Sequence, residues 1–274
     1  MHSAPPHAQG AIALMKAMPG QMSTLAGTMR WMECTCYGPA QRWLYSHVGK
    51  TASSAMLRAL FHIEFGYPLS VTARRKGDIN PNVAMHALVT TGLFRAASDP
   101  RVNFAAVMEK RPISVVSLRH PSQRALSAFR YICRADAEGA DQFLAERLRM
   151  TALHGFDWTR DPGTADGFAR FLDFVGAEIA HRPNEQINPH YAPQVQTLIL
   201  DKLAFDVQVR AEDMGQGVMA LCDRLDLHPQ PILDDLGQPN QTGAEGADWL
   251  ARPDIRQRLA TLYATDYEVL NYDP

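Results

Sequence analysis

Arg42-Trp43-Leu44-Tyr45-Ser46-His47-Val48-Gly49-Lys50-Thr51-Ala52-Ser53-Ser54 is the stretch on which the reading of this chain turns. Its first half is short and apolar, as a buried strand is, and Gly49 punctuates it. Met56, Leu57, Ala59 and Leu60 then follow at helical spacing. A strand, a turn and a helix start in this order leave unpaired backbone N–H groups and the positive end of a helix dipole at the turn. A phosphate or sulfate binds well in such a place. Lys50 adds a compact positive charge, and Thr51, Ser53 and Ser54 add hydroxyls. On these residues alone, an ordinary polar helix start is the competing reading.

The phosphate loop of nucleotide triphosphatases follows G-x-x-x-x-G-K-[ST]. Gly49-Lys50-Thr51 satisfies the tail of that pattern, but Leu44 stands where its first glycine belongs. The loop is therefore shorter and stiffer. A second strand-to-turn signal follows at Ile113-Ser114-Val115-Val116-Ser117-Leu118, a β-branched run suited to a buried parallel strand. Arg119-His120-Pro121 then opens a helix on which Ala125, Leu126, Phe129 and Ile132 share an apolar face. Arg119 sits at the carboxyl end of that strand, where ligands of open α/β sheets bind, and Ser127 on the helix can donate to the same anion.

The 274 residues carry a net charge of -2, so no whole-protein field attracts nucleic acid or anionic membrane, and any anion site must be built locally. Cys34, Cys36, Cys133 and Cys222 are too scattered for a disulfide framework, and Cys34-x-Cys36 lacks the spacing of common zinc or redox motifs. Idle thiols and the lack of a membrane-length apolar run predict a soluble, cytoplasmic protein. Residues 1–39, rich in Met, Ala, Gly and Pro, read as an arm or leader in which Met15, Met18, Met22, Met29 and Met32 cover the core or another chain.

Residues 40–274 read as a single α/β domain. Strands are expected at Leu69–Thr72, Val83–Val89 and Phe205–Arg210, besides the two above. Helices are expected over Asp141–Met150, Gly167–Ala180, Gln194–Leu200, from Glu212, and over Asp254–Leu270, with a loop at Pro229–Gly246. The alternation argues for a mainly parallel central sheet with helices on both faces. Arg74-Arg75-Lys76 is a basic cluster that suits either solvated surface or an acidic ligand.

Taken together, His47-Val48-Gly49-Lys50-Thr51-Ala52-Ser53-Ser54 and Arg119-His120-Pro121-x-x-Arg124-x-x-Ser127 resemble the two cofactor motifs of sulfotransferases that use 3′-phosphoadenosine 5′-phosphosulfate (PAPS). The first is similar to the 5′-phosphosulfate loop of carbohydrate sulfotransferases, closest to the Lys-Thr-Ala-Ser-Thr form of the uronyl 2-O-sulfotransferase group. The second is similar to their 3′-phosphate motif, with His120 in place of the usual aspartate. His190-Tyr191-Ala192-Pro193-Gln194 and Phe205–Asp213 resemble later family segments more loosely.

The resemblance implies a P-loop-like three-layer α/β fold and a PAPS-dependent O-sulfotransferase acting on a glycan or other hydroxylated acceptor, with no metal. It implies that Gly49, Lys50, Thr51, Ala52, Ser53 and Ser54 hold the 5′-phosphosulfate and that Arg119 and Ser127 hold the 3′-phosphate. PAPS is anionic at both ends, so two separate anion sites are expected. Lys50 would stabilise charge on the departing phosphate. In the 2-O-sulfotransferase group a histidine lies between the two motifs, and His86 is the histidine between His62 and His120 here, which makes it the implied catalytic base. His190 and Glu64 are the further candidates, and Trp158, Tyr191 and Trp249 suit either sugar stacking or the core. An ATP-dependent kinase built on Gly49-Lys50-Thr51 and a nucleotide-binding module without turnover are the alternatives.

Overall fold

The computed structural model describes residues 6–73, 77–236, 246 and 248–274. The five strands are β1 (Thr35–Tyr37), β2 (Trp43–Ser46), β3 (Arg95–Ala96), β4 (Ile113–Leu118) and β5 (Val207–Arg210), in the sheet order β3-β1-β2-β4-β5. β2, β4 and β5 are parallel, with Trp43 opposite Ile113 and Leu118 opposite Arg210. β1 is antiparallel to both β2 and β3, with Tyr37 opposite Leu44 and also opposite Arg95. The sheet is mixed, not the mainly parallel one expected. The connection from Tyr37 to Trp43 is too short for a crossover, so it can only be a hairpin between antiparallel strands.

The helices are α1 (Pro6–Ala17), α2 (Leu25–Glu33), α3 (Ser53–Phe65), α4 (Val83–Thr90), α5 (Phe104–Glu109), α6 (Pro121–Ala137) and α7 (Leu144–His154). They continue with α8 (Ala165–His181), α9 (Gln194–Leu198), α10 (Met214–Arg224), α11 (Gln230–Leu236), α12 (Pro253–Leu262) and α13 (Ala264–Leu270). Strand pleating sends alternate side chains to opposite faces. Trp43, Tyr45, Val115, Val207 and Val209 pack with α3, α4, α10 and α11. On the other face, Val116 and Leu118 meet Val195, Leu198 and Leu270, while Leu44 meets Leu14, Trp31 and Phe104. A separate aromatic core joins α6 and α8 to α12 through Phe129, Phe168, Phe171 and Tyr263.

Several expected elements differ. Val83–Val89 is α4, not a strand, because Met85 and Leu88 enter the core three residues apart while His86 faces outward. Leu69–Thr72 has no regular structure, and Val71 is exposed. The loop expected at Pro229–Gly246 contains α11, anchored by buried Ile232. The last helix breaks in two at Tyr263, whose hydroxyl donates to Tyr191 O at 2.9 Å. Residues 6–37 form two helices and a strand, with all five methionines of that segment in or against one core cluster. The basic cluster Arg74–Lys76 lies outside the described residues. Among the described residues no helix is long and apolar enough to cross a membrane.

Gly217 is where α10 crosses β5: a Cβ there would lie 2.7 Å from Val209 Cγ1 and 2.9 Å from Val209 Cα. Alanine favours a helix over glycine by about 1 kcal/mol. Overpacking against strand backbone costs about 1–3 kcal/mol, so the clash outweighs the propensity. Gly217→Ala is expected to lower the denaturation midpoint in urea, and a raised midpoint would contradict this packing.

Candidate active site

β2 and β4 are neighbours, and the turns that follow them meet at their carboxyl ends. In the first turn, Lys50 (φ 70°) and Ala52 (φ 59°) both adopt the left-handed backbone that favours glycine. Each such residue costs on the order of 1 kcal/mol or more, so the surroundings must hold the shape. Part of the hold is Thr51, fully buried, whose Oγ1 donates to Val48 O at 2.9 Å and pairs with Ser117 Oγ at 2.9 Å. Ser117 in turn pairs with Tyr45 OH at 2.7 Å. The Thr51 hydroxyl is thus spent on its own turn and on β4 and is not among the anion donors expected of it. Its backbone N–H is the group that remains for a ligand.

Arg124 supplies the rest of the hold. Its buried guanidinium donates to Gly49 O at 3.1 Å, Ala192 O at 2.8 Å and Pro189 O at 2.6 Å. These bonds press the His190–Gln194 segment onto the turn so closely that a Cβ at Gly49 would lie 2.6 Å from His190 Cδ2. Gln194 is buried in the same junction: its Oε1 accepts from Arg119 N at 3.0 Å and its Nε2 donates to Arg119 O at 2.8 Å. Asp266 accepts from Gln194 N and Val195 N, both at 2.8 Å.

Arg119 Nη1 donates to Lys50 O at 3.3 Å. The two cationic turns are therefore one continuous wall, not separate pockets, because neighbouring strands lie only about 5 Å apart. Ala52, the N-cap of helix α3, makes no side-chain cap, so the first N–H groups of the helix face the turn without one. Alternating left-handed residues beside a helix start gather backbone N–H groups into an anion-binding nest. Ser53 is nearly buried at the first helical position, Ser54 is half-buried beside it, and Ser127 is buried on α6. A cavity of about 280 Å³ flanks the start of α6, lined by His120, Ser122, Gln123, Arg256 and Asp273; it does not include Lys50.

The Lys50 ammonium lies 3.9 Å from the centre of the Tyr131 ring. Burial, with help from Arg119 and Arg134, lowers its pKa to about 8. His86 Nε2 is 3.4 Å from Ser54 Oγ. The ring is exposed by area yet crowded on one side; that burial holds its pKa below the usual value, Asp78 opposing and Lys50 adding to it. His190 is pushed down to about 3 by burial and then by Lys50, and His47 to about 4 by burial and then by His86. His190 Nδ1 and Asn188 Oδ1 are 2.9 Å apart, and Asn188 Nδ2 donates to Glu146 Oε1 at 3.0 Å. The structure thus gathers Gly49, Lys50, Ala52, Ser54, His86, Arg119 and His190 around one place.

Other candidates fall elsewhere. Glu64 accepts from Ala40 N at 2.7 Å and Trp43 Nε1 at 2.8 Å, which is a structural brace. Tyr191 is fully buried and donates to Glu178, so it is core and not a sugar platform. The reading from sequence did not single out Tyr131, Asn188 or the bracing role of Arg124. Arg124, Ser127 and Tyr131 share one face of α6 at helical spacing, a pattern that was available to find two of them.

His47 and His190 are neutral in the folded protein far below the ordinary histidine value of 6.5. The unfolded chain therefore takes up protons first as pH falls. Their contribution to stability is complete above pH 6.5 and is lost as the pH drops from 6.5 toward 4 for His47 and toward 3 for His190. Tm is expected to decline across that window; a flat Tm would contradict the neutral buried pair.

A model of the sulfotransferase family matches residues 37–273. Neither curated proteins nor solved structures return a match. The matched span runs from the end of β1 to the last residues and takes in both turns, the brace and the buried junction. The chain belongs to the sulfotransferase family and is an enzyme that transfers sulfuryl groups.

Proposed function

We propose that the donor is PAPS and the acceptor a hydroxyl of a glycan or other hydroxylated molecule, in the manner of the uronyl 2-O-sulfotransferase group. The observation that carries this reading is the contact between the Lys50 turn and Arg119 at the ends of adjacent parallel strands. It fits a donor with anions at both ends: the uncapped start of α3, with the N–H groups around Lys50–Ser54, suits the 5′-phosphosulfate. Arg119 and Ser127 suit the 3′-phosphate, for which a guanidinium offers a two-pronged grip. The kinase alternative lacks its first glycine at Leu44, and the family match gives it no support. The free thiols of Cys34, Cys36, Cys133 and Cys222 are in keeping with a cytoplasmic setting.

In the proposed reaction the acceptor oxygen forms a bond to sulfur while the bond from sulfur to the bridging oxygen breaks. That oxygen leaves with the electron pair on adenosine 3′,5′-bisphosphate. The hydroxyl proton passes to His86 Nε2, a step worth roughly 10²–10⁴ in rate. Protonated Lys50 stabilises the charge on the departing phosphate.

Two outcomes test this reading. Adenosine 3′,5′-bisphosphate without magnesium is expected to raise Tm by several degrees, and Arg119→Ala or Lys50→Ala to remove most of that rise. No shift at millimolar ligand would overturn the donor assignment. With labelled sulfate transfer as the assay, kcat/KM is expected to be bell-shaped in pH. It rises as His86 loses its proton below 6.5 and falls as Lys50 loses its own near 8. His86→Asn should remove the acid limb and cost at least about 100-fold in kcat; an unchanged profile would move the base elsewhere.

A further inference from the structure

Lys50 carries a charge in a place that disfavours it. Its backbone is left-handed, Arg119 and Arg134 repel it, and among the described residues no carboxylate acts on it. What meets its ammonium is the face of Tyr131, 3.9 Å away. That ring is itself fixed: Phe143 meets it edge-on at 5.5 Å and His190 stacks on it at 5.7 Å and 26°. Phe143 also packs edge-on to His190 at 5.0 Å, which closes a small aromatic box. Tyr131 stands one helical turn beyond Ser127 on α6, so a single helix carries the bracing Arg124, the buried Ser127 and this ring.

We propose that Tyr131 is a positioning residue, whose ring face holds the Lys50 ammonium charged and aimed at the anion nest before any donor arrives. A lysine head group is a point charge on a flexible stem, so without a fixed counter-surface its direction is undefined. An aromatic face attracts the cation without neutralising it, whereas a carboxylate would compete with the incoming anion. An arriving sulfate therefore displaces a weak attraction and not an ion pair. The catalytic consequence rests on the donor reading above; the hold on Lys50 does not.

The test reads Lys50 in the free enzyme, by the pH dependence of the lysine Cε signals in NMR. The titratable and charged neighbours are Arg119, Arg134, His86, His190 and the Tyr131 hydroxyl, with Asp78 acting on His86 and Tyr131 and not on Lys50; all of them stay in place in Tyr131→Phe except that hydroxyl. Native protein is expected to titrate near 8, and Tyr131→Phe within a few tenths of it. Tyr131→Leu should titrate about one unit lower, a tenfold fall in the ratio of charged to neutral lysine at a given pH. Tyr131→Met serves in its place should the leucine variant not fold. If the ring-less variants titrate like the native protein, the proposal is overturned, whatever the donor proves to be. Turnover then separates the two readings. With bisphosphate binding retained, Tyr131→Leu should lower kcat about tenfold and move the alkaline limb of the rate profile to lower pH, and Tyr131→Phe should restore both. Loss of bisphosphate binding in the native protein would instead sink the donor reading alone.

Discussion

A buried guanidinium with carbonyl oxygens on three sides decides the shape of this site. A charge inside a protein is costly unless every direction it points in is answered by an acceptor. Arg124 is answered by Gly49, Pro189 and Ala192, from two segments that share no secondary structure with it. Lysine in its place would present a compact head without the planar fork, and could not reach three carbonyls so disposed. The left-handed residues of the Lys50 turn are therefore held from outside. Their cost is offset by bonds that form only when α6 and the His190 segment are both in place.

Much of this was legible in the chain. A β-branched run, a glycine and an amphipathic helix are local signals, and the two strand-to-helix turns fall where those signals put them. The pairing of the turns across the sheet followed from parallel strands, which bring successive carboxyl ends together. The mixed sheet was not legible, because residues 1–39 read as an arm; the short connection before Trp43 was the only hint that they supply a strand. The run around His86 misled because seven residues, six of them apolar, suit either a buried strand or a short helix, and length could not decide between them. Thr51 shows another limit. A hydroxyl beside a lysine looks like a ligand, and only the fold reveals that it faces Ser117 and the sheet.

The electrostatics follow from that packing. The chain has a net charge of -2, yet Lys50, Arg119 and Arg124 converge on one small volume, and Arg134 is near enough to act on Lys50. Histidines 47, 86 and 190 stand around the same volume with depressed pKa values, so they add rings and lone pairs but no further positive charge at neutral pH. An anion entering this volume meets donors already oriented, and the repulsion among the cations is relieved by its arrival.

The junction at Gln194 ties together parts of the chain that lie far apart in sequence. Asp266, in α13, fixes the backbone of Gln194; Gln194 fixes the backbone of Arg119; and Arg119 reaches the carbonyl of Lys50. A short series of polar contacts thus runs from α13 to the Lys50 turn. α13 is consequently a buttress of the Lys50 turn, and removing it would loosen a loop more than two hundred residues upstream.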